Sequence, residues 1–217
     1  MAQYTTPGGY EHQDVAEEHI ASPGPLGFSV LAFATAIIGC FYAGFIIPFE
    51  MIAIRPGVGA VALASGIVLI LAGMWEFRKD NTEAATVFTS YGGFLILLGM
   101  IFMPNFGVFS ALVISGLLYV TLGLFFLCWT IFTAVLLIGS LGKSMGLVAT
   151  LGLLFLSYIF LTIGQLAANN GPLLRIGGWL SIICALVAWY VAVASMQHLE
   201  PSQRGLKVPF GQMASAE

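Results

Sequence analysis

Long apolar stretches, separated by short connections that contain Pro, Gly or charged residues, make up most of the chain. Six of them can be recognised, at about residues 27–47, 57–77, 86–104, 111–139, 145–168 and 174–197. Each is close to the roughly 20 residues that an α-helix needs to cross a hydrocarbon layer of about 30 Å. The pattern therefore predicts an all-α integral membrane protein, with six transmembrane helices in one bundle.

Polar residues gather at the two ends of the chain and divide it into three regions. We predict a cytoplasmic N-terminal tail at 1–25, a six-helix transmembrane domain at 26–198 and a cytoplasmic C-terminal tail at 199–217. No Lys or Arg occurs in the first 26 residues, so the basic segment of a secretory signal is missing. We therefore interpret the first apolar stretch as a helix that is retained in the protein.

The basic residues predict how the bundle is oriented in the membrane. Five of the seven fall on one predicted side, namely Arg78, Lys79, Lys143, Arg204 and Lys207. Arg55 and Arg175 fall on the other side. Cytoplasmic loops carry an excess of Lys and Arg, so both chain termini should face the cytoplasm. The expected location is the cell (cytoplasmic) membrane, with several passes of the chain.

The composition excludes several classes of protein. With 59% hydrophobic and 8% charged residues and a mean hydropathy of +0.98, the chain is not a soluble globular domain. Its net charge of −3 and the lack of a basic block argue against nucleic acid as a partner. Cys40, Cys128 and Cys184 lie in separate apolar stretches, so no metal site, cofactor or disulfide is predicted. Hydrolase motifs such as GxSxG and HExxH are missing, and we do not expect an enzyme.

Three pairs of glycines are spaced by 7 residues, or two helical turns: Gly66 and Gly73, Gly92 and Gly99, and Gly116 and Gly123. Each pair marks a helix face that another backbone can approach closely, as small residues do in membrane bundles. Packing alone accounts for such faces. The alternative is that some of them border a narrow passage.

The predicted helices carry neutral polar groups in their interior and almost no charge. These groups are Thr89, Ser90 and Tyr91, then Ser157 and Tyr158, and finally Gln165, Asn169 and Asn170. They can hydrogen-bond a small anion without holding it too tightly, which conduction requires. For the hydroxyls the alternative is a bond to a carbonyl of their own helix, and for Asn169 and Asn170 it is helix termination.

Glu76 is a charged residue at the end of the second apolar stretch. It follows Trp75, a residue type that is typical of the membrane interface. One interpretation is a carboxylate at the cytoplasmic edge, paired with Arg78 or Lys79. The other is a role in gating or coupling.

Three segments of the chain carry a recognisable pattern. They are Ser22-Pro-Gly-Pro-Leu-Gly-Phe28; the run from Gly73 to Gly93, with Glu76-Phe77, Lys79, Asn81-Thr82 and Phe88-Thr-Ser-Tyr-Gly92; and Gly178-Trp179 with Ile183-Cys184 and Tyr190. Together they extend over about residues 22–198, in order. They resemble the acetate uptake transporter family, which includes the bacterial acetate/succinate permease and the yeast acetate and ammonia transporters. The first segment is similar to the family signature Asn-Pro-Ala/Gly-Pro-Leu-Gly-Leu.

The resemblance implies a homo-hexamer, a ring of six protomers in which each has its own pore for acetate and other small monocarboxylates, sometimes succinate. In the family, an aromatic residue of helix one, a Tyr of helix three and a Leu of helix five narrow the pore. The matching residues here are Leu31, Tyr91 and Leu154. Leu31 departs from the pattern, and Phe28 or Phe33 is the alternative for its place.

The resemblance also assigns an entrance motif, formed by Ser22, Pro23, Pro25, Leu26 and Gly27. Ser22 stands where the family has Asn; both can cap a helix, but a serine has no amide to donate. The two prolines should keep this segment stiff, and Gly27 should permit a close approach. Ala188 falls where the family has a small residue that affects the size of the acid accepted.

We therefore expect membrane transport of acetate and other small monocarboxylates through a narrow pore, either channel-like or proton-coupled. The expected substrate path comprises Thr89, Ser90, Gln165, Asn169 and Ala188, with Glu76 as the candidate for gating or coupling. The expected partners are the carboxylate, the lipid bilayer and five further copies of the chain. Two alternatives stay open, namely passage of ammonium or ammonia and a non-transporting membrane scaffold or sensor.

Overall fold

Seven α-helices form the described part of the chain, which is residues 21–46, 54–142 and 144–198 of this computed structural model. They are α1 (Gly24–Ala43), α2 (Arg55–Arg78), α3 (Thr82–Phe102), α4 (Val108–Ile114), α5 (Leu118–Gly139), α6 (Met145–Leu166) and α7 (Gly171–His198). A 3-10 turn at Pro104–Phe106 precedes α4. Six of these helices, all except α4, are long and apolar enough to cross a membrane. The all-α architecture with six spans is thus confirmed.

The fourth apolar stretch is not the single helix that was predicted over residues 111–139. The chain leaves the helix between α4 and α5, where Gly116 has a φ of +71°. Glycine adopts this left-handed conformation without steric cost, since it has no Cβ. The prediction that Gly116 and Gly123 share a helix face is therefore wrong. Gly123 lies in α5 and packs against Leu166, whereas a Cβ on Gly116 would meet no atom within 4 Å.

The structure describes almost none of the two predicted tails. Helix α1 starts at Gly24, before the apolar stretch predicted from about residue 27. Residues 1–20 and 199–217 lie outside the described residues, as do 47–53 and Lys143. The assignment of two cytoplasmic tails therefore stays a prediction.

Glycines bring α2 and α3 into close contact along most of their length. A Cβ on Gly66 would lie 2.6 Å from the carbonyl oxygen of Gly92. Nearer the other end of the pair, a Cβ on Gly99 would lie 2.7 Å from the carbonyl oxygen of Gly59. Gly73 faces Thr89 so closely that a Cβ there would collide with its hydroxyl. The packing interpretation of the first two glycine pairs is confirmed.

Helix α1 lies at the centre of the bundle. It packs against α2, α3 and α7, and it meets α7 at Gly39, where a Cβ would lie 2.9 Å from the carbonyl oxygen of Gly178. Of its apolar window 61% is buried, against 28% for α5, which packs mainly on α6. The residues of α1 that face the other helices are therefore the natural place to look for a passage.

The antiparallel helices give the bundle two ends, which we name by one residue each. The Glu76 end contains the start of α1 and the turn from α2 to α3. The Arg55 end contains the end of α1, the start of α2 and the region of α4. With a rise of 1.5 Å per residue, the 21 residues from Arg55 to Glu76 separate the two ends by about 32 Å.

Candidate functional site

One face of α1 runs from the Glu76 end to the Arg55 end. Its members are spaced alternately three and four residues apart, which places them on one side of a helix: Phe28, Leu31, Thr35, Ile38 and Tyr42. All five side chains are buried. Two separate pockets open along this face, one at its middle and one at the Arg55 end.

The central pocket lies near the middle of the bundle and is narrow. It is lined by Leu31, Thr35, Ile38, Tyr91, Phe94, Leu95, Tyr158 and Ser181. The lining combines an apolar wall with four hydroxyl-bearing side chains, and it contains no charged residue. Two residues of the predicted constriction, Leu31 and Tyr91, meet here.

The hydroxyl of Tyr91 is held by α5. Tyr91 is completely buried, and its hydroxyl oxygen lies 2.7 Å from Oγ1 of Thr133. Thr133 donates its own proton to the carbonyl of Trp129, at 2.6 Å. Because that proton is used, Tyr91 donates and Thr133 accepts. The Tyr91 ring is therefore fixed at the wall of the central pocket.

A second hydroxyl pair fixes the opposite wall of the central pocket. Ser157 on α6 donates to the carbonyl of Gly177 at 2.8 Å, and its oxygen lies 2.7 Å from the hydroxyl oxygen of Ser181 on α7. Both serines are buried. Since the proton of Ser157 goes to the carbonyl, Ser181 donates to Ser157 and keeps only its oxygen lone pairs for other contacts.

The pocket at the Arg55 end is the larger of these two. It is lined by Phe41, Tyr42, Arg55, Phe102, Phe109, Leu118, Tyr119, Leu122, Gln165 and Asn169. The guanidinium carbon of Arg55 lies 4.5 Å from the centre of the Phe109 ring. Tyr42 and Gln165 are buried and interact with each other, but the hydroxyl of Tyr42 and Oε1 of Gln165 make no hydrogen bond of good geometry in the described structure.

An aromatic layer lies between the two pockets. Phe126 on α5 is completely buried at its centre. Its ring centre lies 5.8 Å from that of Tyr42, in the Arg55-end pocket. It also lies 5.9 Å from that of Tyr158 and 6.3 Å from that of Phe94, both in the central pocket. Phe126 therefore contacts residues of both pockets.

Leu154 and Ala188 are buried near the central pocket but do not line it. Leu154 lies on α6, four residues before Tyr158 and on the same side of the helix. Ala188 lies on α7, two turns after Ser181, in the row of small residues that faces the bundle interior. Leu154 and Ala188 therefore lie behind Tyr158 and Ser181, which line the central pocket.

Thr89 and Ser90 lie outside both pockets. The side chain of Thr89 occupies the α2–α3 contact opposite Gly73, and its hydroxyl is buried without a partner in the described structure. Ser90 donates to the carbonyl of Thr86 at 2.6 Å, a bond within its own helix. For Ser90 the alternative interpretation, a bond to a carbonyl of its own helix, therefore holds.

The predicted polar residues at the end of α6 divide between the pocket and the chain turn. Gln165 and Asn169 both line the Arg55-end pocket. Asn169 follows the helix with a φ of +63°, and its backbone N–H donates to the carbonyl of Gln165. The side chain of Asn170 instead accepts from the N–H of Leu173 in the first turn of α7, as a helix cap does.

Glu76 is buried where α1, α2 and α3 meet, with only 2% of its surface exposed. Asn81 donates its side-chain amide to Oε2 at 2.8 Å. The other oxygen faces the start of α1, where a Cβ on Gly24 would lie 3.4 Å from it. Arg78 stacks on the ring of Trp75, at 5.5 Å, so Asn81 holds the carboxylate rather than the neighbouring cation. A negative charge at a helix N-terminus is stabilising.

The entrance motif lies beside Glu76 at the start of α1. Pro23 occupies the N-cap position without a side-chain cap, so Ser22 does not cap the helix as the sequence allowed. Pro23, Pro25 and Gly27 are buried, whereas Leu26 is exposed. A Cβ on Gly27 would collide with the ring of Phe88, so α1 and α3 touch here through the bare backbone of a glycine.

Sequence reasoning did not find Tyr42, Phe94, Phe126, Thr133 and Arg55 as members of this site. Their positions depend on which faces of different helices meet. The only available signal was the spacing of Tyr42 from Leu31 on α1, which is three helical turns. In the described residues, no group of three or more His, Cys, Asp or Glu could hold a metal ion.

Comparison with known proteins identifies the family of the chain. A family model described as the GPR1/FUN34/yaaH family matches residues 3–214. The protein "Acetate permease A" of Emericella nidulans is 32% identical over 203 residues, which are 88% of this chain and 65% of the permease. The "Succinate-acetate/proton symporter SatP" of Escherichia coli K12 is 32% identical over 178 residues, which are 82% of this chain and 89% of the symporter.

A solved structure has the same fold. It is described as "Structure of the bacterial acetate channel SatP", and it matches with a TM-score of 0.72 and 27% identity over 87% of this chain and 99% of that chain. Towards the fungal relatives the match is partial, since the chain spans 60 to 65% of the length of the first of them. The three proteins named here are described as a permease, a symporter and a channel.

Proposed function

We propose, since the chain belongs to the GPR1/FUN34/yaaH family, that it carries acetate and other small monocarboxylates across the cell membrane through a passage within each protomer. The observation that carries the proposal is the buried face of α1, which lines two pockets in series from one end of the bundle towards the other. The likeness to a bacterial acetate channel over 99% of that channel's length supports it.

The chemistry of the central pocket suits a small carboxylate in transit. A charge in a purely apolar pore is costly, and hydroxyl groups replace part of the hydration shell without binding so tightly that the solute cannot leave. Thr35 supplies such a group next to the ring of Tyr91. The apolar side chain of Leu31 limits the width on the α1 side.

The constriction in this proposal consists of Leu31, Tyr91 and Leu154. The first two line the pocket, and Leu154 packs behind a residue that lines it. Leu31 and Tyr91 touch the central pocket, and completely buried Leu154 supports Tyr158 on the same face of α6. Gln165 and Asn169 belong to the path at the Arg55 end, and Ala188 limits the room behind Ser181. Thr89 and Ser90 act through helix packing in this scheme.

Glu76 is the proposed gating residue. Its carboxylate lies at the start of α1, against the entrance motif, and it is joined to the turn before α3 by the bond from Asn81. A movement of α1 relative to α2 would therefore break or make contacts of this carboxylate. The finer parts of the proposal are a homo-hexamer and two cytoplasmic termini, which follow from the family resemblance and from the distribution of Lys and Arg.

The test is uptake of labelled acetate into proteoliposomes, with protein-free liposomes to subtract the passive entry of acetic acid. Saturable uptake that formate or propionate inhibits supports the carboxylate passage. An imposed pH gradient then separates proton coupling from passive conduction. Folded protein that adds no acetate uptake contradicts the proposal, and ammonia release that is insensitive to carboxylates would favour an ammonia passage.

A variant of Tyr91 tests the constriction. We expect Tyr91→Ala to widen the central pocket and to raise the uptake of butyrate relative to acetate. Phe132→Ala is the matched control, since Phe132 is an aromatic residue of α5 that contacts Trp129 and lines neither pocket. An unchanged ratio in the Tyr91 variant contradicts this placement.

A further inference from the structure

We infer that the pocket at the Arg55 end is a binding site for a carboxylate in its anionic form, in which Arg55 supplies the charge and Tyr42 and Gln165 supply hydrogen bonds. The inference rests on the proposed function and adds to it, because it selects the anion over the neutral acid at this end. It also assigns a specificity-determining role to Arg55, a residue outside the predicted path.

The first argument is the charge at this end of the bundle. The described residues include three acids, Glu76, Asp80 and Glu83, and all of them lie at or next to the turn between α2 and α3. That turn is about 32 Å from Arg55, which is about four Debye lengths at physiological ionic strength. Arg175, in the first turns of α7, adds a second positive charge at the Arg55 end. The sequence also has Glu50 in the α1–α2 connection, outside the described residues, so the chain order places two positive charges and one negative charge at this end. A net positive charge attracts anions.

The second argument is the way in which Arg55 is held. Its guanidinium carbon lies 4.5 Å from the centre of the Phe109 ring, a cation–π contact. Such a contact is an attraction of the charge to the ring, and no side-chain hydrogen bond within the described part of the chain engages the N–H groups of Arg55. Arg55 lines the pocket, and the fork of two parallel N–H groups matches the two oxygens of a carboxylate.

The third argument is a pair of buried polar groups whose hydrogen bonding is incomplete. Tyr42 and Gln165 are 2% and 3% exposed and interact with each other, but neither the Tyr42 hydroxyl nor Oε1 of Gln165 makes a hydrogen bond of good geometry in the described structure. Buried polar groups are nearly always paired, and unpaired ones indicate a missing ligand or water. The hydroxyl of Tyr42 can donate to an anion. The side-chain amide of Gln165 can donate as well once it turns by half a rotation, which exchanges its oxygen and nitrogen.

The three groups thus resemble a carboxylate site in which one charge and two neutral donors converge on an apolar floor. Phe41 and Phe102 form that floor, which excludes water from the back of the pocket. Phe126 lies behind Tyr42 and separates the site from the central pocket. An anion held here is concentrated at the Arg55 end before it passes the aromatic layer.

The form of the bound acid can be measured with the full-length protein in proteoliposomes. Above the pKa of acetic acid the fraction of neutral acid falls about tenfold for each pH unit, whereas the anion concentration hardly changes. If the site binds the anion, the half-saturating total acetate concentration on the Arg55 side stays within about threefold between pH 5.5 and 7.5. An increase of about a hundredfold over this range shows that the neutral acid is recognised and overturns the inference.

Variants of Arg55 test the assignment of the charge. We expect Arg55→Gln to raise the half-saturating acetate concentration at pH 7.5 by about tenfold or more, since a charge-assisted hydrogen bond is lost. Arg55→Lys keeps the charge but lacks the fork of N–H groups, so it should restore only part of the affinity. Arg175→Gln is the matched control at the same end of the bundle, because Arg175 is exposed and does not line the pocket. Equal effects of the two glutamine variants overturn the assignment.

A binding measurement separates this inference from the proposed function. Saturation-transfer NMR with acetate as the probe detects contact between acetate and purified protein whether or not transport occurs. A signal that Arg55→Gln and Gln165→Leu each weaken supports the site even in a protein that does not transport. Transport by the wild-type protein with a signal that neither variant changes overturns the site and leaves the proposed function intact. Tyr42→Phe provides a third variant if one of these does not fold.

Discussion

The hydroxyl of Tyr91 on α3 lies 2.7 Å from the hydroxyl of Thr133 on α5, and this bond ties a pore-lining ring to a helix that otherwise meets α3 through aromatic contacts. Those contacts include a stacked pair, Phe94 and Phe125, with ring centres 5.2 Å apart. Rings can slide over one another, whereas a hydrogen bond has a direction. The bond therefore sets where the Tyr91 ring stands in the central pocket.

Thr133→Val should release this ring. Valine has the shape of threonine but leaves the buried Tyr91 hydroxyl without its acceptor, which costs about 1–3 kcal/mol of stability. We expect a lower unfolding temperature and a relaxed size selectivity, measured as the uptake ratio of butyrate to acetate. Thr133→Ser keeps the acceptor and should retain the wild-type ratio. If valine and serine give the same ratio, Thr133 does not position Tyr91.

Phe126→Ala should join the two pockets. Removal of this completely buried ring opens space between Tyr42 and Tyr158 and costs about 3–5 kcal/mol of stability. We expect faster uptake of acetate and the admission of larger acids by the protein that remains folded. Phe132→Ala, on the same helix, should leave both properties unchanged. A Phe126 variant that is folded and shows wild-type selectivity would mean that the passage does not run beside this residue.

Gly27→Ala should disturb the entrance. The added methyl group collides with the ring of Phe88, so α1 or α3 has to shift, at a cost of about 1–3 kcal/mol. We expect a lower unfolding temperature and slower acetate uptake. Gly93→Ala is the matched control, because a Cβ there meets no atom within 4 Å. Equal unfolding temperatures for the two variants would contradict the close contact at Gly27.

Glu76→Gln should separate the charge of this residue from its structural role. A glutamine oxygen can still accept the hydrogen bond from Asn81, so we expect the protein to keep its fold. The negative charge beside the entrance is lost, which removes its repulsion of an incoming anion. Acetate uptake at pH 7.5 should increase by about 2-fold or more, and added salt should reduce the difference. A rate that equals the wild-type rate at low salt would argue against gating by this charge.

The six spans could be predicted from the sequence because each crosses the membrane as an uninterrupted apolar segment. The break before α5 could not, since Gly116 lies within such a segment and glycine also occurs inside membrane helices. Lipid is as apolar as the interior of a bundle, so the apolar pattern of α5 does not reveal which of its faces turns inward. For that reason Phe126 and Thr133 could be recognised only once α3, α5 and α6 were placed together. Tyr91 and the glycine pairs of α2 and α3 could be identified earlier, because a motif or a spacing marks them.

Trp129 is positioned to report on Tyr91 by its fluorescence. Trp75, Trp179 and Trp189 are 48%, 46% and 38% exposed, on surfaces that are expected to face lipid, whereas the ring of Trp129 lies 5.9 Å from that of Tyr91. Its backbone carbonyl also accepts the hydrogen bond from Thr133, the residue that in turn accepts from Tyr91. A chain in which the other three tryptophans are replaced by phenylalanine would emit from this one indole. A change in its emission would then signal, in real time, each displacement of the tyrosine at the pore wall.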